Sequence, residues 1–116
     1  MLTFICYPKC TTCQKAQKWL DDNNIQYAFR DIKGTKPTLE ELTAWQKKSG
    51  LPLKKFFNTS GLLYKSLALK DKLPTMTEEE MLRLLATDGM LVKRPLWVSD
   101  NGVLVGFKEA EWQEML

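Results

Sequence analysis

Three cysteines and no histidine limit the chemistry available to this chain of 116 residues. The absence of histidine excludes Ser-His and Cys-His catalysis, histidine-ligated metals and histidine-based pH sensing. Three cysteines cannot complete the usual four-ligand structural zinc site, and they are too sparse for the disulfide framework of a small secreted domain. Thiol chemistry remains, and two of the thiols lie in the motif Cys10-Thr11-Thr12-Cys13.

This motif lies between a predicted strand over 2–7 and a predicted helix over 11–24. Cys10 is therefore expected at or near the helix N-cap, with Cys13 one turn further along the same face. The partial positive charge and free N–H groups of a helix N-terminus stabilise a thiolate, so Cys10 is the predicted nucleophile. Cys13 would resolve a mixed disulfide or sulfenic acid at Cys10. The alternative is two small residues that only pack the start of a helix.

Two further positions complete the set of candidate residues. Cys6 falls in the first predicted strand and is interpreted as a small buried hydrophobic residue. Arg94-Pro95 immediately precedes the third predicted strand. A guanidinium there could stabilise a thiolate or hold an oxyanion in bidentate fashion, or it could be a solvated charge where the strand begins.

The elements that must position these residues follow from the pattern of apolar residues. The strand over 2–7, the helix over 11–24 and a strand over 25–32 predict a right-handed parallel βαβ unit. At the other end, Asp100-Asn101-Gly102 between apolar runs predicts a β-hairpin, followed by a short helix over 108–116. The predicted class is α/β, in the order βαβ, helical block, ββα, and the length suits a single domain.

The middle of the chain is predicted to be helical. Capping boxes begin two helices at Thr38 and Thr77, and Gly50 and Gly89 are predicted to end them. Two short helices are expected between these, one after Pro52 and one over 63–69.

Charge and chain ends suggest where the protein works. Seventeen basic and fourteen acidic residues leave a net charge of +3, which does not require a nucleic-acid partner. The apolar start lacks the basic region and cleavage site of a signal peptide, and no apolar run approaches the length of a membrane span. We therefore expect a cytoplasmic protein, with no membrane association and no direct contact with nucleic acid.

Four sequence blocks, in the same order as here, resemble those of the ArsC/Spx family. The blocks are Tyr7-Pro8-Lys9-Cys10-Thr11-Thr12-Cys13-Gln14-Lys15-Ala16, Leu53-Lys54-Lys55-Phe56-Phe57-Asn58-Thr59-Ser60-Gly61 with Tyr64, Lys93-Arg94-Pro95-Leu96, and Val105-Gly106-Phe107. The resemblance implies a thioredoxin-like (glutaredoxin-like) fold over residues 1–116, with a helical insertion over about 36–90.

The resemblance also implies roles for individual residues. Cys10 corresponds to the catalytic or redox-sensing cysteine, and Cys13 to the partner that closes a reversible disulfide, making a redox-active centre. Arg94 corresponds to the arginine before a cis-proline that faces the active cysteine, so Pro95, with Thr11 and Thr12, is expected to contact substrate. No bound cofactor or metal is implied. An external thiol reductant of the glutathione, thioredoxin or bacillithiol type is expected.

Three functions are compatible with this resemblance. The first is an arsenate-reductase-like thiol-disulfide oxidoreductase acting on an oxidised protein or small molecule. The second is an Spx-type redox-sensing transcriptional regulator that binds the C-terminal domain of the RNA polymerase α subunit. The third is a domain that has kept the fold and lost the chemistry. Regulators of this kind commonly continue in a basic tail beyond the last helix, whereas this sequence ends at Leu116, so we favour the reductase.

Arsenate itself is a poor match for the sequence. Glutaredoxin-coupled arsenate reductases surround the oxyanion with three arginines. Here Asn58 stands where one of them is expected and Gly106-Phe107 where another is expected, so that only Arg94 is retained. The resemblance therefore favours thiol-disulfide exchange over arsenate reduction.

Overall fold

A computed structural model describes residues 2–116, and its elements follow the predicted order of βαβ, helical block and ββα. The strands are β1 (Leu2–Cys6), β2 (Tyr27–Asp31), β3 (Leu96–Ser99) and β4 (Gly102–Val105). The α-helices are α1 (Thr11–Asp22), α2 (Leu39–Ser49), α3 (Leu62–Ser66), α4 (Leu69–Lys72), α5 (Glu78–Leu85) and α6 (Glu109–Gln113). Short 3₁₀ helices span Leu53–Phe56, Leu73–Thr75 and Gly89–Leu91.

The four strands form one sheet in the order β2-β1-β3-β4. β1 runs parallel to β2 and antiparallel to β3, and β3 and β4 form the predicted hairpin. β1 is therefore an interior strand, and the chain leaves its carboxyl end directly into the segment that carries Cys10. In open α/β sheets this is the edge where ligands bind.

Both faces of the sheet are covered, so the side chains of β1 alternate between two cores. The first core, which we call the α1-side cluster, contains both buried thiols and three tryptophans. Its members are Leu2, Phe4, Cys6, Cys13, Ala16, Trp19, Leu20, Trp97 and Trp112. The second core, which we call the insertion-side cluster, lies against the helical block. Its members are Ile5, Ile32, Leu42, Trp45, Leu53, Phe56, Phe57, Leu69, Leu73, Leu85, Leu91, Val92, Leu96 and Val103. All four tryptophans are buried.

Local signals placed both capping boxes correctly. The Thr38 hydroxyl accepts from the Glu41 N–H and the Glu41 carboxylate accepts from the Thr38 N–H, and Thr77 and Glu80 repeat the arrangement. Gly50 ends α2 with a φ of 70°, the left-handed conformation that glycine adopts without steric cost.

Two predictions about the helical block were wrong. The helix predicted over 63–69 is broken into α3 and α4, because Ala68 takes a left-handed conformation with φ of 53°. Gly89 does not end α5, which finishes at Leu85. Gly89 instead begins a 3₁₀ turn, and any Cβ there would overlap the carbonyl oxygen of Ile32. This glycine is needed for a close approach of two backbones.

Within residues 2–116, no helix combines the length and the apolar character needed to cross a membrane.

Candidate functional site

Cys10 occupies the N-cap of α1, in extended conformation with φ of −85° and ψ of 125°. Its N–H donates to the carbonyl of Tyr7 at 2.9 Å, and its own carbonyl accepts from Gln14 at 3.0 Å. These bonds fix the turn between β1 and α1. The half-buried Cys10 thiol therefore lies at the positive end of the helix dipole, as predicted.

Cys13 lies one turn into α1 and is only 1% exposed. Its sulfur accepts a hydrogen bond from the Tyr7 N–H at 3.3 Å, and Cys13 shares the α1-side cluster with Cys6, against which Cys10 packs. The hydrogen bond with Cys6, together with burial, raises the pKa of Cys13 far above its ordinary value. The same hydrogen bond lowers the pKa of Cys6. Cys13 is thus held as a neutral thiol beneath the more accessible Cys10, and all three cysteines are free.

Arg94 is fixed by several contacts, and its peptide bond to Pro95 is cis. Nη1 donates to the Met90 carbonyl at 3.2 Å, and the guanidinium carbon lies 5.6 Å from the centre of the Tyr7 ring. With the Asn58 amide turned so that its oxygen faces Arg94, that oxygen accepts from Nη1 at 3.1 Å and from Nη2 at 3.2 Å. The side chain is therefore held in one place, with part of its donor capacity already used.

Arg94 and Asn58 meet because a short antiparallel pairing ties the helical block to the segment before β3. Phe57 pairs with Val92 in an isolated bridge, and the Asn58 N–H donates to the Leu91 carbonyl at 2.8 Å. The contact between Asn58 and Arg94 therefore depends on packing between parts of the chain more than thirty residues apart.

A pocket of about 640 Å³ opens beside the start of α1. It is lined by Cys10, Thr12, Asn58, Ser60, Gly61, Leu62, Leu63, Met90, Lys93, Arg94, Val105, Gly106, Phe107 and Lys108. This lining contains three cationic side chains, those of Lys93, Arg94 and Lys108, and no acidic one among the described residues. Its electrostatic potential favours an anionic ligand next to the Cys10 thiol.

The structure brings some of the predicted site residues together and separates others. Cys10, Thr12 and Arg94 line the same pocket. Cys13 lies beneath Cys10 in the α1-side cluster. Thr11 is exposed and Pro95 is buried, and neither belongs to the lining of this pocket.

Three features of the site were missed from the sequence. The sequence indicates only that Asn58 replaces an arginine of the arsenate reductases, whereas in the structure its side chain binds Arg94. Lys108 reaches the pocket from the segment before α6. The sequence predicts only a small buried hydrophobic residue at Cys6, whereas in the structure Cys6 packs in the same cluster as Cys13. A usable signal existed for Cys6, since the end of a strand and the first turn of the following helix lie close together in a βα unit.

Within residues 2–116, no group of three or more Cys, Asp or Glu side chains is arranged to hold a metal ion.

Comparison with known proteins identifies the family. The model of the ArsC family matches residues 6–115. The chain belongs to the ArsC family. It is 54% identical over 113 residues to the uncharacterised protein YusI of Bacillus subtilis, covering 97% of this chain and 96% of YusI. It is 31% identical over 110 residues to the regulatory protein MgsR of the same organism, covering 95% of this chain and 86% of MgsR.

Solved structures of family members superpose closely. An ArsC family-related protein from Bacteroides fragilis matches with a TM-score of 0.96 and 61% identity, covering 99% of this chain and 98% of that chain. A protein described as a possible arsenate reductase from Streptococcus mutans matches with a TM-score of 0.91 and 46% identity, covering 100% of this chain and 98% of that chain. The predicted ArsC/Spx relationship and the thioredoxin-like α/β fold are confirmed.

Proposed function

We propose that this ArsC-family protein is a thiol-disulfide oxidoreductase with Cys10 as nucleophile and Cys13 as resolving thiol. The observation that carries the proposal is the pair of contrasting environments one helical turn apart. Cys10 lies at the N-cap of α1 on the wall of a cationic pocket, and Cys13 contacts it from below, buried and neutral. One thiol is accessible at a helix N-terminus, and the other is shielded until an adduct forms next to it.

The reaction proceeds by two exchanges. The Cys10 thiolate attacks one sulfur of an oxidised substrate, a Cys10–substrate disulfide forms, and the other substrate sulfur leaves as a thiolate. Cys13 loses its proton and attacks the Cys10 sulfur, which closes the Cys10–Cys13 disulfide and releases the second substrate thiol. An external thiol of the glutathione, thioredoxin or bacillithiol type then returns both cysteines to the reduced state, as suits a reducing cytoplasm.

The cationic wall of the pocket assists the first exchange. Arg94, together with Lys93 and Lys108, places positive charge around the site where the leaving thiolate develops. Thr12 lines the same wall of the pocket and contacts bound substrate. Thr11 and the backbone of Pro95 support the loops on either side of the pocket. Arsenate is disfavoured, because Asn58 already occupies two N–H donors of the single available arginine.

A regulatory role is the second candidate, and the identity to MgsR favours it. In that role the Cys10–Cys13 disulfide is a switch, and the protein binds the C-terminal domain of the RNA polymerase α subunit. A groove on the helical block offers a separate surface, lined by Lys54, Lys55 and Lys70 around the side chains of Tyr64 and Met81. Contact with a protein partner there would require no element that reads nucleic-acid bases.

The test uses purified wild type, Cys10→Ser and Cys13→Ser incubated with oxidised glutathione and measured by intact mass. Wild type should lose the mass of two hydrogens as its disulfide closes, and Cys13→Ser should retain one glutathione adduct. Cys10→Ser should remain unmodified over the same period, because it lacks the accessible thiolate. Equal modification of Cys10→Ser and wild type would refute Cys10 as nucleophile.

The regulator is tested with the same proteins in reduced and oxidised form. Isothermal titration calorimetry measures whether each form binds the purified C-terminal domain of the RNA polymerase α polypeptide. An affinity that changes on oxidation would favour the regulator. No binding in either state, together with catalytic turnover of a small disulfide in the presence of glutathione, would favour the reductase.

A further inference from the structure

We propose that Cys6 is a third redox thiol, which exchanges with the Cys10–Cys13 disulfide to form a buried Cys6–Cys13 disulfide and to free Cys10. The inference rests on the proposed function, because the Cys10–Cys13 disulfide is its starting point. In this proposal Cys6, at the end of β1, keeps the protein oxidised by holding the disulfide with Cys13.

The arrangement of the three sulfurs carries the inference. Cys13 lies one turn after Cys10 in α1, and its sulfur accepts from the N–H of the residue directly after Cys6. Cys6 and Cys13 are buried in the same cluster, and Cys10 packs against it. Cys13 is thus the middle sulfur of a row. Thiol-disulfide exchange attacks one sulfur of a disulfide and expels the other, so the middle position allows Cys6 to attack Cys13 while Cys10 leaves.

The backbone keeps this row in place. The N–H of Tyr7, the residue directly after Cys6, donates to the Cys13 sulfur at 3.3 Å and so holds that sulfur against the end of β1. The pairing of Cys6 with Asp31 of β2 restricts the movement of Cys6.

The exchange is balanced without any additional oxidant. The Cys6 thiolate forms a bond to the Cys13 sulfur, the Cys10–Cys13 bond breaks, and Cys10 leaves as a thiolate at the N-cap of α1. The proton lost by Cys6 passes to solvent or to Cys10. One disulfide is present before and after the step, so the two electrons removed by the original substrate are accounted for throughout.

The burial of Cys6 and Cys13 would protect the disulfide between them from reduction. Cys6 and Cys13 are each 1% exposed, while Cys10 lines the open pocket. A disulfide between the two buried sulfurs is shielded from external thiols, because exchange requires access to a sulfur atom. The freed Cys10 can react with a second oxidised substrate and, having lost its resolving partner, retains that substrate as a stable mixed disulfide.

The experiment exploits the positions of two lysines. Trypsin cleaves after Lys9 and Lys15, which separates a peptide over 1–9 carrying Cys6 from a peptide over 10–15 carrying Cys10 and Cys13. Wild type is treated with one equivalent of oxidised glutathione, quenched in acid at successive times, alkylated with a maleimide, digested and analysed by tandem mass spectrometry. We expect the disulfide within 10–15 first, followed by its conversion into a link between 1–9 and 10–15 with Cys10 alkylated.

Variants separate the relay from direct oxidation. Cys10→Ser should form the linked peptides at least tenfold more slowly than wild type, since the relay cannot begin. With a second equivalent of oxidised glutathione, wild type should gain one glutathione on Cys10, and Cys6→Ala should gain none. Circular dichroism confirms that Cys6→Ala is folded, and the wild-type time course tests the proposal without relying on that variant.

The outcomes distinguish the two proposals. A stable disulfide within 10–15 with Cys6 alkylated overturns the Cys6 relay and leaves the proposed function standing. Linked peptides that form equally fast in Cys10→Ser, or a link that uses Cys10 instead of Cys13, also overturn the relay. The absence of any disulfide or adduct at Cys10 overturns both.

Discussion

The two faces of the sheet are both covered by a buried apolar cluster but differ in what they do. The α1-side cluster is rich in aromatic rings and encloses the sulfurs of Cys6 and Cys13. The insertion-side cluster is almost wholly aliphatic and aromatic hydrocarbon, and its members contain no sulfur. The first face therefore controls access to the thiols, while the second holds the segments that bring Asn58 to Arg94. Substitutions on the two faces should have separable effects.

The largest effects on stability should come from truncating one buried side chain to alanine in each core. Trp112 and Leu42 are both fully buried, and Trp112 makes edge-to-face contacts with Trp97 and Phe107. We expect Trp112→Ala to lower the free energy of unfolding by about 3–5 kcal/mol and Leu42→Ala by about 2–5 kcal/mol, measured by urea denaturation.

Thiol access should distinguish these two variants even where their stabilities are similar. Under native conditions, iodoacetamide should modify Cys13 faster in Trp112→Ala than in wild type, because a cavity opens in the cluster that shields this sulfur. Leu42→Ala should leave the rate close to that of wild type. Equal acceleration in both variants would mean that global unfolding, and not the α1-side cluster, controls access.

An intermediate effect is expected at the pocket wall. Arg94→Ala should reduce the ratio of Cys10 alkylation rates for anionic iodoacetate over neutral iodoacetamide by about fivefold to tenfold, because one positive charge is removed from the pocket. Lys54→Ala removes a charge outside this pocket and serves as the matched control. An unchanged ratio in Arg94→Ala would show that its charge does not act on the reagent.

The smallest effect is expected beside the insertion-side cluster, at the ion pair between Arg30 and Glu41. Arg30 donates to both carboxylate oxygens of Glu41 and lies over the ring of Trp45. The hydrogen bond from Arg30 lowers the pKa of Glu41 from 4.5 to about 2. Glu41→Gln should therefore lower the free energy of unfolding at neutral pH by about 1–2 kcal/mol.

The stabilisation from the Arg30–Glu41 ion pair should depend on pH in a defined direction. Because the folded-state pKa of Glu41 is depressed, its stabilisation is complete above the unfolded value of 4.5 and is lost as the pH falls towards 2. Thermal unfolding of wild type and Glu41→Gln should differ at pH 6 and converge at about pH 2. A difference that persists at low pH would assign the stabilisation to packing. Thiol reactivity should be unaffected at neutral pH, in contrast to the α1-side variants.

Much of the fold was accessible from local sequence signals, because these act over a few residues. The capping boxes at Thr38 and Thr77, the hairpin at Asp100-Asn101-Gly102 and the N-cap position of Cys10 each depend on neighbours within one turn. The sequence does not reveal the role of Gly89, because a distant segment, at Ile32, requires a glycine there. No local signal marks the left-handed conformation of Ala68. A glycine that ends a helix and a glycine that admits a distant carbonyl look the same in a sequence.

The sequence by itself narrowed the candidate chemistry to the thiols, since it has no histidine and places a Cys-Thr-Thr-Cys motif at a predicted helix start. It also determined that this motif follows the end of β1, through the βαβ pattern. Only the tertiary structure decided which groups surround the thiols. Asn58 meets Arg94 through a bridge between distant segments, and Cys6 meets Cys13 because the strand and helix pack face to face. Covalent spacing limits what a residue can do, whereas its partners depend on contacts made across the whole chain.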